Sequence, residues 1–209
     1  EVAETPFFSR SVSEFVLNRP RTEYTIYPDI IWNYEALKNN VQAEPVSVAV
    51  KVEMNGDDLG QRVRTFSVRS INECLLGYVA NGTKFYDTSI FFAAYVNEEN
   101  PMIDQLLREA LNTRIVNRFL GYQSKAKGVV DKQVYALWNI LQKRKFRYSS
   151  VSNTSLSSNV VFSQRVRTFD DALDSSQINC VDGSVLFASL LRSINIDPIL
   201  VRTPGHMFV

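Results

Sequence analysis

Asn179-Cys180-Val181-Asp182-Gly183-Ser184-Val185-Leu186-Phe187-Ala188-Ser189-Leu190-Leu191-Arg192-Ser193-Ile194 is the stretch on which the fold turns. Residues 181–194 predict a helix that is apolar nearly all round, and such a helix is normally central and buried. Asn195 suits the left-handed position that ends a helix, and Pro198 prevents its continuation. Pro198–Arg202 then reads as a buried strand, Thr203-Pro204-Gly205 as a turn, and His206 as the start of another strand.

Cys180 stands where this helix begins. Unpaired backbone N–H groups at a helix start stabilise a thiolate. His206 is the single histidine of the chain, so any histidine-dependent chemistry here must use it. One helix and one strand separate the two, a spacing that allows them to meet. The residue types alone leave two readings open: a thiol nucleophile with its base, or a small buried cysteine and an incidental histidine.

The surrounding residues add a resemblance. Asn179-Cys180, Leu190-Leu191-Arg192, Ile196-Asp197-Pro198 and Pro204-Gly205-His206-Met207-Phe208 fall in an order similar to the core of the transglutaminase-like superfamily. That pattern has a Cys opening a helix, Leu-Leu-Arg near its end, a turn with Gly or Asn and Pro, a strand, and a His opening the next strand. The resemblance spans about residues 130–209 and is tightest over 164–209. With a β-rich module in front, the chain also resembles envelope proteins of the Bacteroidetes type within this superfamily.

The resemblance implies a papain-like fold in which the Cys attacks an amide carbonyl and forms a thioester, which water or an amine then resolves. By position, Cys180 is the expected nucleophile, and His206 is base and later acid. The expected oxyanion hole uses the Cys180 backbone N–H and a second donor, for which Gln164 is the candidate; a plain loop glutamine is the alternative. The family's third residue, an Asp or Asn on the strand after the His, has no counterpart, because the chain ends three residues after His206. Asp182 belongs to the helix's first turn and Asp197 to a turn, so neither replaces it. Trp138 and Tyr148 are expected either to line a cleft or to pack in the core. The implied substrate is a protein or peptide, no cofactor or metal is implied, and the location is secreted, periplasmic or in the cell envelope. The competing expectation is a non-catalytic relative that binds a polypeptide or glycan.

Upstream, Val46, Val48, Val50, Val52 and Met54 alternate with polar or small residues, which predicts a strand with one buried face. Asn55–Gly60 reads as a turn and Arg62–Ile71 as the second strand of a hairpin. Lys84–Val96 reads as a further strand. The expected division is therefore a β-rich module over residues 1–95, of the immunoglobulin-like sandwich kind, and a core over 96–209, giving an α+β protein. Within the core, Asn100-Pro101 predicts a helix start, Asp131 is the expected cap of the next helix, and Thr168–Asp171 resembles a capping box. Residues 149–158, rich in Ser and Asn, read as a loop.

Composition narrows the partners. With 45% hydrophobic and 22% charged residues among 209, the chain has the makeup of an ordinary globular protein. A net charge of +1 gives no reason to expect nucleic acid or a membrane surface. No apolar stretch approaches a membrane span. Two cysteines make neither a disulfide scaffold nor a zinc cluster, and Cys74 is expected as a buried free thiol, unbonded to Cys180. The start at Glu1, without Met or leader, reads as a processed or engineered piece.

Overall fold

A computed structural model describes residues 1–124, 126–150 and 158–209. The chain forms two compact units, one over Glu1–Ile71 and one over the described residues from Asn72 to Val209. The secondary structure is mixed α+β with small sheets.

The first unit holds helix α1 (Tyr34–Asn39) and strands β1 (Glu44–Met54) and β2 (Asp57–Val68), paired antiparallel. The hairpin turn is tighter than the sequence suggests. Asn55 and Gly56 both have positive φ, 52° and 91°, so two residues close it and β2 begins at Asp57. Positive φ at both positions matches the twist of the strands, and Asn-Gly is the pair that accepts it. The period-two pattern is buried only at one end of β1. Val46 packs with Val2, Phe7 and Phe8, while Val50, Val52 and Met54 are exposed. Isolated bridges tie residues 2–11 and Trp32 to this unit. A sandwich needs a second sheet packed on the first; β1–β2 is the only sheet among the described residues of this unit.

The second unit begins at Asn72, not near residue 96. Strands β3 (Glu73–Ala80) and β4 (Lys84–Asp87) pair with each other, but β3 also pairs with the later strand that runs Val161–Arg165. That distant partner draws residues 72–95 into the core. β4 also ends early. Asp87 accepts from the Ser89 N–H at 2.8 Å, Thr88 Oγ1 donates to the Leu75 carbonyl at 2.9 Å, and the chain enters a 3-10 helix over Ser89–Tyr95 that buries Phe92.

Helices α2 (Pro101–Asn112) and α3 (Val129–Lys143) follow. Asn100 caps α2 through the Met102 N–H, with Pro101 first in the helix. Asp131 is not the cap of α3: left-handed Gly128 holds that position, and Asp131 lies in the first turn. Next come β5 (Arg147–Tyr148), the Val161–Arg165 strand as β6, α4 (Phe169–Ser175) and β7 (Gln177–Ile178). Residues 151–157 of the expected loop lie outside the described residues. Thr168 caps α4 through the Asp171 N–H. Then α5 (Cys180–Ser193) leads to the β8–β9 hairpin (Val201–Thr203 and His206–Phe208).

α5 is central as expected. Val181, Val185, Leu186, Leu190 and Leu191 are buried in one cluster with side chains from α2, α3 and Met207 of β9, and Ala188 is buried as well. Asn195 is left-handed at φ 57°. The strand expected over Pro198–Arg202 is shorter and less buried: it starts at Val201, and Ile199 is 76% exposed. Among the described residues, no helix is long and apolar enough to cross a membrane.

Candidate functional site

The site is built at the start of α5. Asn179 precedes the helix in an extended conformation, and its Oδ1 accepts from the Asp182 N–H at 2.9 Å. The Asp182 carboxylate reaches back and accepts from the Asn179 N–H at 3.0 Å. This is a full capping box, which satisfies two backbone donors reciprocally. Cys180 is therefore the first helical residue, on a start that cannot fray easily. It is half-buried and flanks the core. Its carbonyl accepts from Ser184 Oγ at 2.7 Å.

Asp182 does more than cap. Its carboxylate also accepts from the Arg167 backbone N–H at 2.9 Å and from the Arg167 guanidinium at 2.6 Å. The guanidinium in turn donates to Ser149 Oγ at 3.1 Å. The carboxylate side chain is 1% exposed and the guanidinium side chain 14%. Sequence reading placed Asp182 in the first turn but found no partner. The Asn-x-x-Asp spacing of a capping box was present in the sequence; no local pattern pointed to Arg167, which arrives from beyond β6.

β9 packs against α5, which brings the strand of His206 to the helix of Cys180. The side chains do not join there. Met207 is buried, so the strand's alternation sends His206 and Phe208 to the opposite face. His206 is exposed, and its ring lies 6.4 Å from that of Phe208. No hydrogen bond links it to Cys180 among the described residues.

Gln164 lies on β6, directly opposite Cys74 on β3, and is half-buried. It is a strand residue rather than a loop residue, and its amide bonds to no described group. Neither proposed aromatic is in the core. Trp138 is 48% exposed, edge-on to Phe187 at 5.9 Å, and Tyr148 is 68% exposed on β5, in register with Ile178 just before the capping box. An open cleft of about 760 Å³ is lined by Phe92, Ala188, Arg192, Leu200 and Met207 among others. It lies on the Met207 face of β9 and towards the far end of α5, so it is not where the thiol is. Among the described residues no cluster of His, Cys, Asp and Glu could hold a metal ion.

Comparison of the chain with protein families, curated proteins and solved structures finds no match.

The two thiols differ in kind. Both are free, and Cys74 is 2% exposed in the core. Burial pushes the Cys74 thiol up to about 11 from its ordinary value of about 9. Native alkylation should therefore mark Cys180 and spare Cys74 until the protein unfolds. Peptide-resolved mass spectrometry reads this directly, and early labelling of Cys74 would contradict it.

The same burial gives a pH dependence. A raised value in the folded state favours the neutral thiol, so this contribution is intact below about pH 9 and is lost as pH climbs towards about 11. Burial also pushes the Tyr95 phenol up, with the neighbouring Cys74 acting in the same direction. The urea midpoint should fall across that alkaline window, and Cys74→Ala should make the fall shallower. An unchanged slope in Cys74→Ala would assign the alkaline loss to other groups.

Proposed function

We propose that this protein performs cysteine-dependent acyl transfer or hydrolysis on amide bonds of proteins or peptides, through a thioester on Cys180, in a core of the transglutaminase-like, papain-like kind. The observation that carries the reading is the placement of Cys180. It is the first residue of a capped, central helix, and the strand bearing His206 packs against that same helix. First-turn N–H groups have no partner within the helix and favour a thiolate.

In the reaction, His206 takes the proton of the Cys180 thiol, the thiolate adds to the amide carbonyl carbon, and the Cys180 backbone N–H with a second donor receives the developing oxyanion. Collapse expels the amine, which takes a proton from the imidazolium of His206. Water or a second amine, giving its proton back to His206, then releases the acyl group. This requires the imidazole to move from the exposed face of β9 to the thiol, which takes a rotation of the strand's backbone there and not of the side chain alone. A non-catalytic relative that binds a polypeptide or glycan is the second reading, favoured by the absence of a Cys180–His206 hydrogen bond.

The test is direct trapping. Incubation with an activated ester such as p-nitrophenyl acetate should acetylate Cys180 as a thioester that hydroxylamine releases. Intact and peptide mass spectra read both steps. Acylation confined to lysines, with Cys180 unmodified, would leave binding as the function.

A further inference from the structure

We propose that the converging C-terminal ends of α2 and α3 form a basic surface that attaches the protein peripherally to an anionic lipid bilayer. This does not depend on the chemistry at Cys180. It starts from an imbalance that the net charge of +1 hides. Residues 108–147 hold ten of the chain's 23 Lys and Arg but two of its 22 Asp and Glu, so the remainder is acidic. Exposed charges farther apart than about 10 Å barely sense one another in salt, so a partner responds to the local surplus and not to the total.

The fold gathers part of this surplus in one place. Arg144, at the end of α3, bonds Glu109 of α2 at 2.6 Å, so the last turns of the two helices lie together. Glu109 is the only acidic residue in 108–114 and 143–147, and this pair occupies it. Arg108, Arg114, Lys143, Lys145 and Arg147 are exposed, and none bonds a carboxylate among the described residues. Cations complement the negative end of a helix dipole, but two helix ends together present only about one unit of negative charge.

The backbone supplies a second observation. Both helices end on a left-handed residue, at the position where glycine is ordinary. Arg114 holds it after α2 at φ 59°, and Lys145 holds it after α3 at φ 53°. A residue with a Cβ is strained there. Strain of this kind gathers at functional positions, and at both matching positions the strained residue is a long cation.

The surroundings favour a bilayer over a nucleic acid. A single strand is held in a basic groove that tracks its backbone. None of the five cations lines the large cleft or its neighbour around Glu99 and Asp197. Among the described residues of 97–150, the exposed large apolar side chains are Tyr122, Tyr135, Trp138 and Tyr148, with no exposed Leu, Ile, Val or Phe. Amphipathic rings of this kind settle at headgroup depth. The contact is therefore electrostatic and shallow, without insertion into the hydrocarbon.

The experiment is co-sedimentation of the full chain with phosphatidylcholine vesicles containing about 30% phosphatidylglycerol, a fraction chosen to give a strongly anionic surface. Pure phosphatidylcholine vesicles, oligo-dT binding and thermal melting run alongside. The protein should pellet with the anionic vesicles only, and about 0.5 M salt should release it. Each cation near such a surface strengthens binding about fivefold, so Arg114→Gly with Lys145→Gly should weaken it at least about tenfold. The same pair relieves backbone strain, so the melting temperature should hold or rise. Weaker binding without weaker folding separates a docking role from a structural one. Arg62→Gln with Arg64→Gln removes equal charge from exposed positions of β2 and should change binding less than about twofold. Arg108→Gln with Lys143→Gln should weaken binding as the glycine pair does. No pelleting with anionic vesicles, equal pelleting with neutral ones, tighter binding to oligo-dT than to vesicles, or an equal effect of the β2 pair overturns the proposal. If the glycine pair does not fold, Arg108→Gln with Lys143→Gln decides, weakened binding supporting the proposal and unchanged binding overturning it.

Discussion

Replacing Gln133 with leucine should destabilise the second unit by roughly 3–5 kcal/mol, from about 1–3 kcal/mol for each buried polar group left unpaired. Gln133 is 1% exposed on α3, in a helix otherwise buried through Ala136, Leu137 and Ile140. Its Oε1 accepts from the Leu120 N–H at 2.6 Å and the Gly121 N–H at 3.0 Å. Its Nε2 donates to the Gly121 carbonyl at 3.1 Å and the Val129 carbonyl at 3.2 Å. Leucine has nearly the same volume and none of these bonds. The Val129 carbonyl keeps its helical partner, but three groups of Leu120 and Gly121 do not.

The loss is aggravated because that loop has nowhere else to go. Gly121 has φ 52°, and a Cβ there would lie 2.8 Å from the Ile194 carbonyl oxygen, so its backbone is pressed against the end of α5. Gln142→Leu, at an exposed position of the same helix, should change stability by no more than about 0.5 kcal/mol. Urea unfolding of both variants decides the matter, and equal effects would mean that the Gln133 bonds contribute nothing net.

Gln133 also shows where sequence reading stops. A glutamine among Val130, Val134 and Leu137 reads as a helix residue of no special kind, since its partners lie in a loop with no pattern of its own. α5 was legible for the opposite reason: it is apolar all round, and that composition has one common physical outcome. The start of α2 was legible because Asn100-Pro101 is a local signal with a local effect. β4 could be read as strand material but not placed, and β3 was not read as a strand at all. Their membership of the second unit depends on β6, far along the chain, and pairing at that distance leaves no periodicity behind. The run Ile90–Tyr95 is apolar without strict alternation, so the Asp87 and Thr88 side-chain bonds decided its conformation. Pro198–Leu200 shows that an apolar run need not be buried.

At the site, the position of Cys180 could be read because a helix start is encoded by its own neighbours. The orientation of His206 could not. In a strand, moving the buried position by one residue reverses every side chain, and Met207 takes the core side here. Arg167 was invisible because an ion pair across the fold needs only one residue at each end.

Cys180→Ala should abolish acyl transfer and amide hydrolysis outright while leaving the protein folded. The thiol is half-buried and makes no hydrogen bond among the described residues, so its removal should change stability by about 1 kcal/mol or less. Chemically nothing replaces it, because a thioester needs the sulfur and Cys74 is buried with its thiol pushed up to about 11. His206→Ala should behave differently. Loss of a general base and acid lowers such a rate by about 10²–10⁴-fold, and a thiol at a helix start keeps some thiolate without it. Thioester formation from an activated ester should therefore survive in His206→Ala at a reduced rate, while turnover of an amide, whose leaving amine needs a proton, should fall furthest. The comparison bears on the exposed orientation of His206. If the imidazole turns towards Cys180 during catalysis, amide turnover falls much more than ester acylation. If His206 stays on its own face of β9, the variant acts on both substrates as the wild type does, and the base must be sought elsewhere. Amide turnover that survives Cys180→Ala would remove the thiol from the mechanism altogether.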